Sequence, residues 1–162
     1  MRTYLPATIP LLREWLTSGS ARPAGCGYAV TPALREWYRE GDIDELEHAA
    51  SLLAAVASLD LLAADPSAPL RRVVLAVDAD GAHVMPDADE RGALRLRASV
   101  PFDRWASALV DEADAEPAVS SAVTLLRDPS ASAAEVDFAL GEAEAADLSW
   151  YAVQELRFLV ES

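Results

Sequence analysis

The apolar positions along the chain follow two patterns, one with the period of a helix and one with the alternation of a strand. Apolar residues three or four positions apart predict helices at residues 8–19, 31–41, 42–64 and 116–126, and from residue 147 to the C-terminus. Continuous or alternating apolar runs predict strands at residues 2–5, 28–30, 72–77, 92–100, 108–110 and 136–140. These elements predict a single layered α/β domain over residues 1–162, a mixed β-sheet packed by about five helices.

The segment 42–64 is predicted to be the longest helix and to lie buried. Asp42 begins a capping box, and two adjoining apolar stripes cover more than half of the circumference of the second half of the helix. Asp60 projects between these stripes, where a carboxylate needs a partner. Because Arg71 and Arg72 follow closely in sequence, we expect an ion pair with one of them rather than a catalytic role for Asp60.

The charge balance excludes several classes of function. The chain of 162 residues carries 13 basic residues, all of them arginine, against 27 acidic residues, which gives a net charge of −14. Residues 111–162 alone hold 12 acidic residues and 2 arginines. Such an acidic protein repels polyanions and anionic membranes, so direct binding to nucleic acid or to a membrane is not expected. One cysteine and two histidines exclude a disulfide framework and a Cys/His zinc site within one chain.

No apolar stretch predicts a membrane span or a signal peptide. Pro6, Pro10, Arg13 and Glu14 interrupt the apolar run near the N-terminus, and no later stretch approaches about 18 uninterrupted apolar residues. The expected location is therefore the cytoplasm. The use of arginine without any lysine is typical of GC-rich coding, and it predicts a high-GC bacterial source.

A D-x-D pattern follows the strand 72–77 directly, with Asp78 and Asp80 as its carboxylates. Carboxylates at the C-terminal end of a strand can hold Mg²⁺, and one of them can attack a phosphate. The pattern resembles the first motif of haloacid-dehalogenase-type phosphatases, although Gly81 and Ala82 stand where that family has a hydroxyl residue and the chain has no lysine. The alternative interpretation is a polar turn that solubilises the end of a strand.

Two threonines are predicted to cap helices that follow short strands. Thr8 and Thr31 each precede a proline by one or two positions, a pattern typical of a helix start. If the first two strands are parallel through a right-handed crossover, both helix N-termini lie at one edge of the sheet. Together with Arg35, they would then favour a small anion. The alternative is that both residues are only helix caps.

The terminal segment is unusually aromatic. Trp150, Tyr151 and Phe158 cannot all occupy the inward face of one helix, so the segment is either fully buried in the core or part of a surface that contacts a partner.

Three further residues with reactive side chains belong to no catalytic or metal-binding motif. His48, His83 and Cys26 lack a partner at the spacing of a catalytic or metal site, and they are interpreted as two surface histidines and an incidental thiol.

Several phrases resemble an uncharacterised family of actinobacterial proteins that is known as a domain of unknown function. The phrases are AVTPALRE at residues 29–36, GDIDELE at 41–47, MRTYLPAT at 1–8 and WYAVQEL at 150–156. The resemblance spans almost the whole chain and implies a cytoplasmic, single-domain protein from a high-GC Gram-positive bacterium. It implies no activity, ligand or catalytic residue.

Two function hypotheses follow. The main one is a non-enzymatic interaction or regulatory protein of the cytoplasm, which binds another protein without a cofactor and can form a homo-oligomer. Its surface candidates are Trp150, Tyr151 and Phe158. The alternative is a metal-dependent phosphatase or small-anion-binding enzyme that uses Asp78 and Asp80.

Overall fold

An antiparallel β-sheet forms the centre of the structure. The computed structural model describes residues 1–38, 40–87 and 90–161. The strands in these parts of the chain are β1 (Arg2–Ala7), β2 (Ser20–Ala21), β3 (Gly27–Ala29), β4 (Val73–Asp78), β5 (Val84–Pro86), β6 (Ala93–Leu96), β7 (Val100–Pro101), β8 (Trp105–Asp111) and β9 (Leu148–Ala152). Seven of them form one sheet in the order β5-β6-β3-β1-β4-β8-β9, while β2 pairs with β7. All of these pairs are antiparallel.

Helices cover both faces of this sheet. They are α1 (Ile9–Ser18), α2 (Pro32–Trp37), α3 (Ile43–Ala64), α4 (Glu116–Arg127), α5 (Ala133–Ala145) and α6 (Leu156–Leu159). On one face, α3 packs against β1, β3 and β4, and α4 and α5 pack against α3. On the other face, α1 and α6 bury their apolar residues against the sheet. The predicted α/β fold class is therefore confirmed, together with its long helix.

The central strand β4 is buried on both of its faces, as its continuous apolar run predicts. Val73, Leu75 and Val77 pack on the side of α1 and α6, whereas Val74 and Ala76 pack on the side of α3. These five residues are at most 2% exposed. The strand therefore joins two apolar layers into one core.

The helix α3 begins and packs as its sequence predicts. The side chain of Asp42 accepts a hydrogen bond of 2.8 Å from the backbone N–H of Glu45, which caps the first turn. Ala50 and Ala54 are fully buried against the sheet, because their small side chains allow a close approach. By length and composition alone α3 could cross a membrane, but here it serves as a core helix of the domain.

The buried ion pair of the fold is not the expected one. Asp60 is exposed at the surface of α3, whereas Arg72 and Asp111 are 2% and 0% exposed and form the pair. Arg72 donates three hydrogen bonds of 2.7–2.8 Å to the Asp111 carboxylate and a further one to the carbonyl of Ala146. Arg71 donates to the backbone carbonyl of Asp111. The prediction for Asp60 was wrong because the pairing of β4 with β8 brings the two partners together from distant parts of the chain.

The last third of the chain also differs from its prediction. Residues 136–140 lie within α5, because Ser132 and Glu135 form a complete capping box that starts a helix there. The segment from 148 to 152 is the strand β9 rather than the beginning of a terminal helix. Its pairing with β8 overrides the helical spacing of its apolar residues.

Removing one partner of the buried ion pair should strongly destabilise the fold. We expect Asp111→Asn to lower the free energy of unfolding by about 3–5 kcal/mol, because the Arg72 guanidinium then stays buried without its counter-charge. The double variant Arg72→Met/Asp111→Leu should recover most of this loss, since it removes both charges. Urea unfolding followed by circular dichroism measures both values. A loss below about 1 kcal/mol in Asp111→Asn would show that the pair is dispensable.

Candidate binding surface at the edge of the sheet

The strand β9 is an open edge of the sheet. One side of β9 pairs with β8, and within residues 1–38, 40–87 and 90–161 no strand pairs with its other side. The opposite edge, β5, has only three residues and ends at Pro86, which has no N–H to offer to a further strand. β9 has five residues and no proline, so of the two edges it is the one suited to pairing with another chain.

The backbone of β9 presents hydrogen-bonding groups to this open side. The N–H of Ala152 donates to the Glu155 carboxylate at 2.9 Å and therefore does not point towards β8. Backbone groups alternate in direction along a strand, so the N–H and C=O of Trp150 and Leu148 point the same way as those of Ala152. The N–H of Asp111 points away from β9, because it donates to the carbonyl of Arg72. Its register partner Leu148 therefore does not bond to Asp111, in agreement with the outward direction inferred from Ala152.

Trp150 stands out on this strand because its large apolar side chain is 64% exposed. It lies opposite Leu109 of β8, on the face of the sheet that α3 covers. It borders a cleft of about 320 Å³ between the sheet and the first half of α3. The polar and aromatic side chains that line this cleft are Arg2, Tyr4, Asp44, Glu47, His48, Ser51, Ser107 and Trp150.

The lining of the cleft beside Trp150 holds two carboxylates and one guanidinium, that of Arg2, which pairs with Asp78. It also contains a fixed polar contact. The hydroxyl of Tyr4 donates a hydrogen bond of 3.2 Å to the Glu47 carboxylate. Burial, together with the charge of Glu47, raises the pKa of Tyr4 to about 12, so the hydroxyl keeps its proton at neutral pH. Asp44 adds a second carboxylate to the lining. The arrangement suits a cationic side chain resting against the indole ring of Trp150.

The side chain of Tyr151 points to the other face of β9. Its hydroxyl donates a hydrogen bond of 2.5 Å to the Glu112 carboxylate. Hydrogen bonds from Tyr151 and Ser149 lower the pKa of Glu112, so this carboxylate keeps its negative charge beside the edge strand. Tyr151 thus holds an acidic group in place rather than offering a free aromatic ring.

Phe158 lies on α6, away from Trp150. It is 61% exposed, and the guanidinium of Arg157 lies 4.6 Å from its ring centroid. The three aromatic residues that the sequence singled out are therefore distributed over two faces and two elements. Only Trp150 combines high exposure with an unpaired strand edge.

The predicted Asp78 and Asp80 lie at the end of β4, beside a cavity of about 250 Å³ that His83, Ser99 and Arg104 also line. The Nε of Arg2 donates to the Asp78 carboxylate at 2.9 Å, which neutralises this group. No group of three or more metal-ligating side chains occurs among the residues with described positions. The structure brings Asp78 and Asp80 to one cavity, and their role as Mg²⁺ ligands stays a prediction.

The predicted anion site at Thr8 and Thr31 required two parallel strands, and the structure does not have them. Both residues do cap their helices, as predicted, by accepting hydrogen bonds of 3.3 Å from the N–H groups of Leu11 and Leu34. However, β1 and β3 are antiparallel, so the parallel crossover was wrong. The helices α1 and α2 therefore begin at opposite ends of the sheet, and Arg35 on α2 lies near only one of them.

The cleft beside Trp150 was not predicted, although the sequence contains a pattern that indicates one of its walls. Asp44, Glu47, His48 and Ser51 recur at helical spacing and form one polar stripe along α3. Such a stripe is typical of a solvated helix face, and only the fold shows that it turns towards Trp150. His48 is exposed, as interpreted from the sequence, and it borders this cleft.

Comparisons with known proteins identify a family but no activity. The model of DUF6912, a family of unknown function, matches residues 1–160. Searches of curated proteins and of solved structures give no significant match.

Removing the Tyr151 hydroxyl should raise the pKa of Glu112. In Tyr151→Phe the carboxylate loses its strongest hydrogen bond, so its pKa should move up towards the ordinary value. The stability that this contact provides is present above the ordinary pKa of a glutamate and is lost as the pH falls through the lowered pKa. Carboxyl ¹³C chemical shifts followed over an acid titration measure the change. The control Tyr38→Phe, which removes the hydroxyl of another tyrosine, should leave Glu112 unaffected, and an unchanged pKa in Tyr151→Phe would contradict the assignment.

Proposed function

The chain belongs to DUF6912, and we propose that it is a non-enzymatic binding protein whose strand β9 takes up an extended, basic segment of another protein. The segment pairs with β9 as a further strand of the sheet. The observation that carries the proposal is the open edge at β9 with the exposed Trp150 on it. The arginine-rich, lysine-free composition supports a high-GC bacterial source.

Backbone pairing supplies the first part of the binding energy. The outward N–H and C=O groups of Leu148 and Trp150 match the hydrogen-bonding pattern of an incoming extended chain. Peptides that add a strand to a sheet gain affinity from such main-chain bonds and specificity from pockets for alternate side chains. The cleft beside Trp150 is such a pocket.

Trp150 supplies the second part as an apolar anchor. Exposed tryptophans at the centre of an interface are frequent binding hot spots, because a partner can bury a large ring area at little cost in conformational entropy. The carboxylates of Asp44 and Glu47 border the same cleft. They favour a lysine or arginine side chain in the position that contacts the indole ring.

Charge selects a basic partner rather than a second copy of this chain. Each copy carries a net charge of −14, with 12 acidic residues and 2 arginines within residues 111–162. Glu112 and Glu155 lie against β9 itself. Pairing two β9 strands would bring these groups within the Debye length of about 8 Å, where repulsion is only partly screened. The same carboxylates attract a basic segment.

Binding of a defined peptide tests the proposal. The probe is a fluorescein-labelled heptapeptide of alternating lysine and valine, measured by fluorescence anisotropy at low ionic strength. We expect saturable binding that weakens with salt, and no binding of the matched glutamate–valine peptide. Trp150→Ala should weaken binding by about 30-fold, the loss of a hot-spot residue worth about 2 kcal/mol.

Two controls separate strand addition from adsorption by charge. Trp37→Ala removes another tryptophan that is 60% exposed but lies on α2, and it should leave affinity unchanged. N-methylation of alternate backbone nitrogens keeps the peptide's charge but removes its donors, and it should abolish binding. An affinity that is unchanged by both Trp150→Ala and N-methylation of the peptide would overturn the proposal. Dimerisation through β9 in analytical ultracentrifugation would also overturn it.

A further inference from the structure

Three arginines line one surface cleft on the side of the sheet away from β9. Arg22, Arg95 and Arg97 border a cleft of about 440 Å³, together with the loop Pro23-Ala24-Gly25 and the residues Met85 and Leu96. The cleft lies at β6, next to the short edge strand β5. Its positive charge contrasts with the net charge of −14 of the whole chain.

The strand geometry places Arg95 and Arg97 on one face. They are two positions apart along an extended chain and project from the same side, while Leu96 between them is buried. Arg97 lies just beyond β6, and its N–H continues the ladder by donating to the carbonyl of His83. Arg22 joins them from the loop after β2, where its Nη2 donates to the carbonyl of Leu96 at 3.1 Å.

Among the residues whose positions the structure describes, no carboxylate lines this cleft. Among the residues with described positions, ion pairs join Arg2 to Asp78 and Arg72 to Asp111, and neither pair lies in this cleft. Burial raises the pKa of Cys26, and the charges of Arg95, Asp87 and Glu90 also act on it. These two carboxylates therefore lie near Arg95, but they do not border the cleft. Like charges held close together disfavour the empty state, and an anion between them removes this repulsion.

We propose that this cleft binds a small phosphorylated molecule. The planar guanidinium group matches the oxygen geometry of a phosphate through paired hydrogen bonds, and two or three of them can enclose one phosphate group. Pro23 and Met85 give the same cleft an apolar portion for the body of the ligand. The volume falls within the range of small-molecule sites. A long polyanion is disfavoured, because the acidic remainder of the chain repels it.

This inference does not depend on the proposed function of β9. The two sites lie near opposite edges of the same sheet, with β3, β1, β4 and β8 between β6 and β9. Either site can be removed by substitution without touching the other.

Calorimetric titration with inorganic pyrophosphate and with phenyl phosphate tests the phosphate site. Arg95→Gln and Arg97→Gln should each weaken binding at least tenfold, because each removes a charged hydrogen-bond donor. The matched control is Arg35→Gln, which changes the net charge equally but removes an arginine of α2 that does not line the cleft. It should leave the affinity unchanged, and it also tests whether Arg35 contributes to an anion site.

Nuclear magnetic resonance supplies a second readout, which shows where on the protein the anion binds. Adding pyrophosphate should shift the side-chain Nε–Hε signals of Arg22, Arg95 and Arg97 and leave that of Arg35 in place. No binding at millimolar concentration, or equal weakening by Arg95→Gln and Arg35→Gln, would overturn the inference. The second result would show that net charge alone attracts the anion.

Discussion

Arg72 and Asp111 join three segments that are far apart in the sequence. Their hydrogen bonds connect the start of β4 to the end of β8, and Arg72 also holds the carbonyl of Ala146 at the end of α5. Leu148, the first residue of β9, is the register partner of Asp111. The position at which β9 begins, and therefore the alignment of its open edge, follows from this one buried charge pair.

The two ends of the sheet have opposite electrostatic character. Near β9, carboxylates surround an exposed tryptophan and an unpaired backbone edge. Near β6, three guanidinium groups gather without carboxylates in the lining of their cleft. Between them lies an apolar core that α1 and α6 cover on one face and α3 on the other. The described lining of the cleft at β6 is therefore basic, although the net charge of the chain is strongly negative.

The sequence predicted those elements whose structure depends on local signals. The caps at Thr8, Thr31 and Asp42 and the apolar run of β4 act within a few residues, and the structure confirms them. Pairing between distant segments was not predictable in this way. The partner of Arg72 comes from a strand about 40 positions away, and the antiparallel order of β1 and β3 reverses the direction assumed for the anion site.

The candidate sites show the same limit. The exposure of Trp150 follows from its place on an edge strand, which the apolar spacing of the terminal segment concealed. The alternation of Arg95 and Arg97 with apolar residues did predict a strand at 92–100, of which residues Ala93–Leu96 form β6. The third arginine, Arg22, joins them only through a contact across the fold.

The order of the strands also has a consequence for the time at which the surface at β9 exists. β1 lies at the centre of the sheet and pairs with β4, whose residues follow it by about 70 positions, while β9 is the last strand among the described residues. Because synthesis runs from the N-terminus, β1 cannot pair with β4 until β4 has been made, and β9 can pair only after β8 has joined the sheet. A strand added to β9 therefore requires a sheet that is already assembled, and its binding distinguishes chains with an assembled sheet from chains without one.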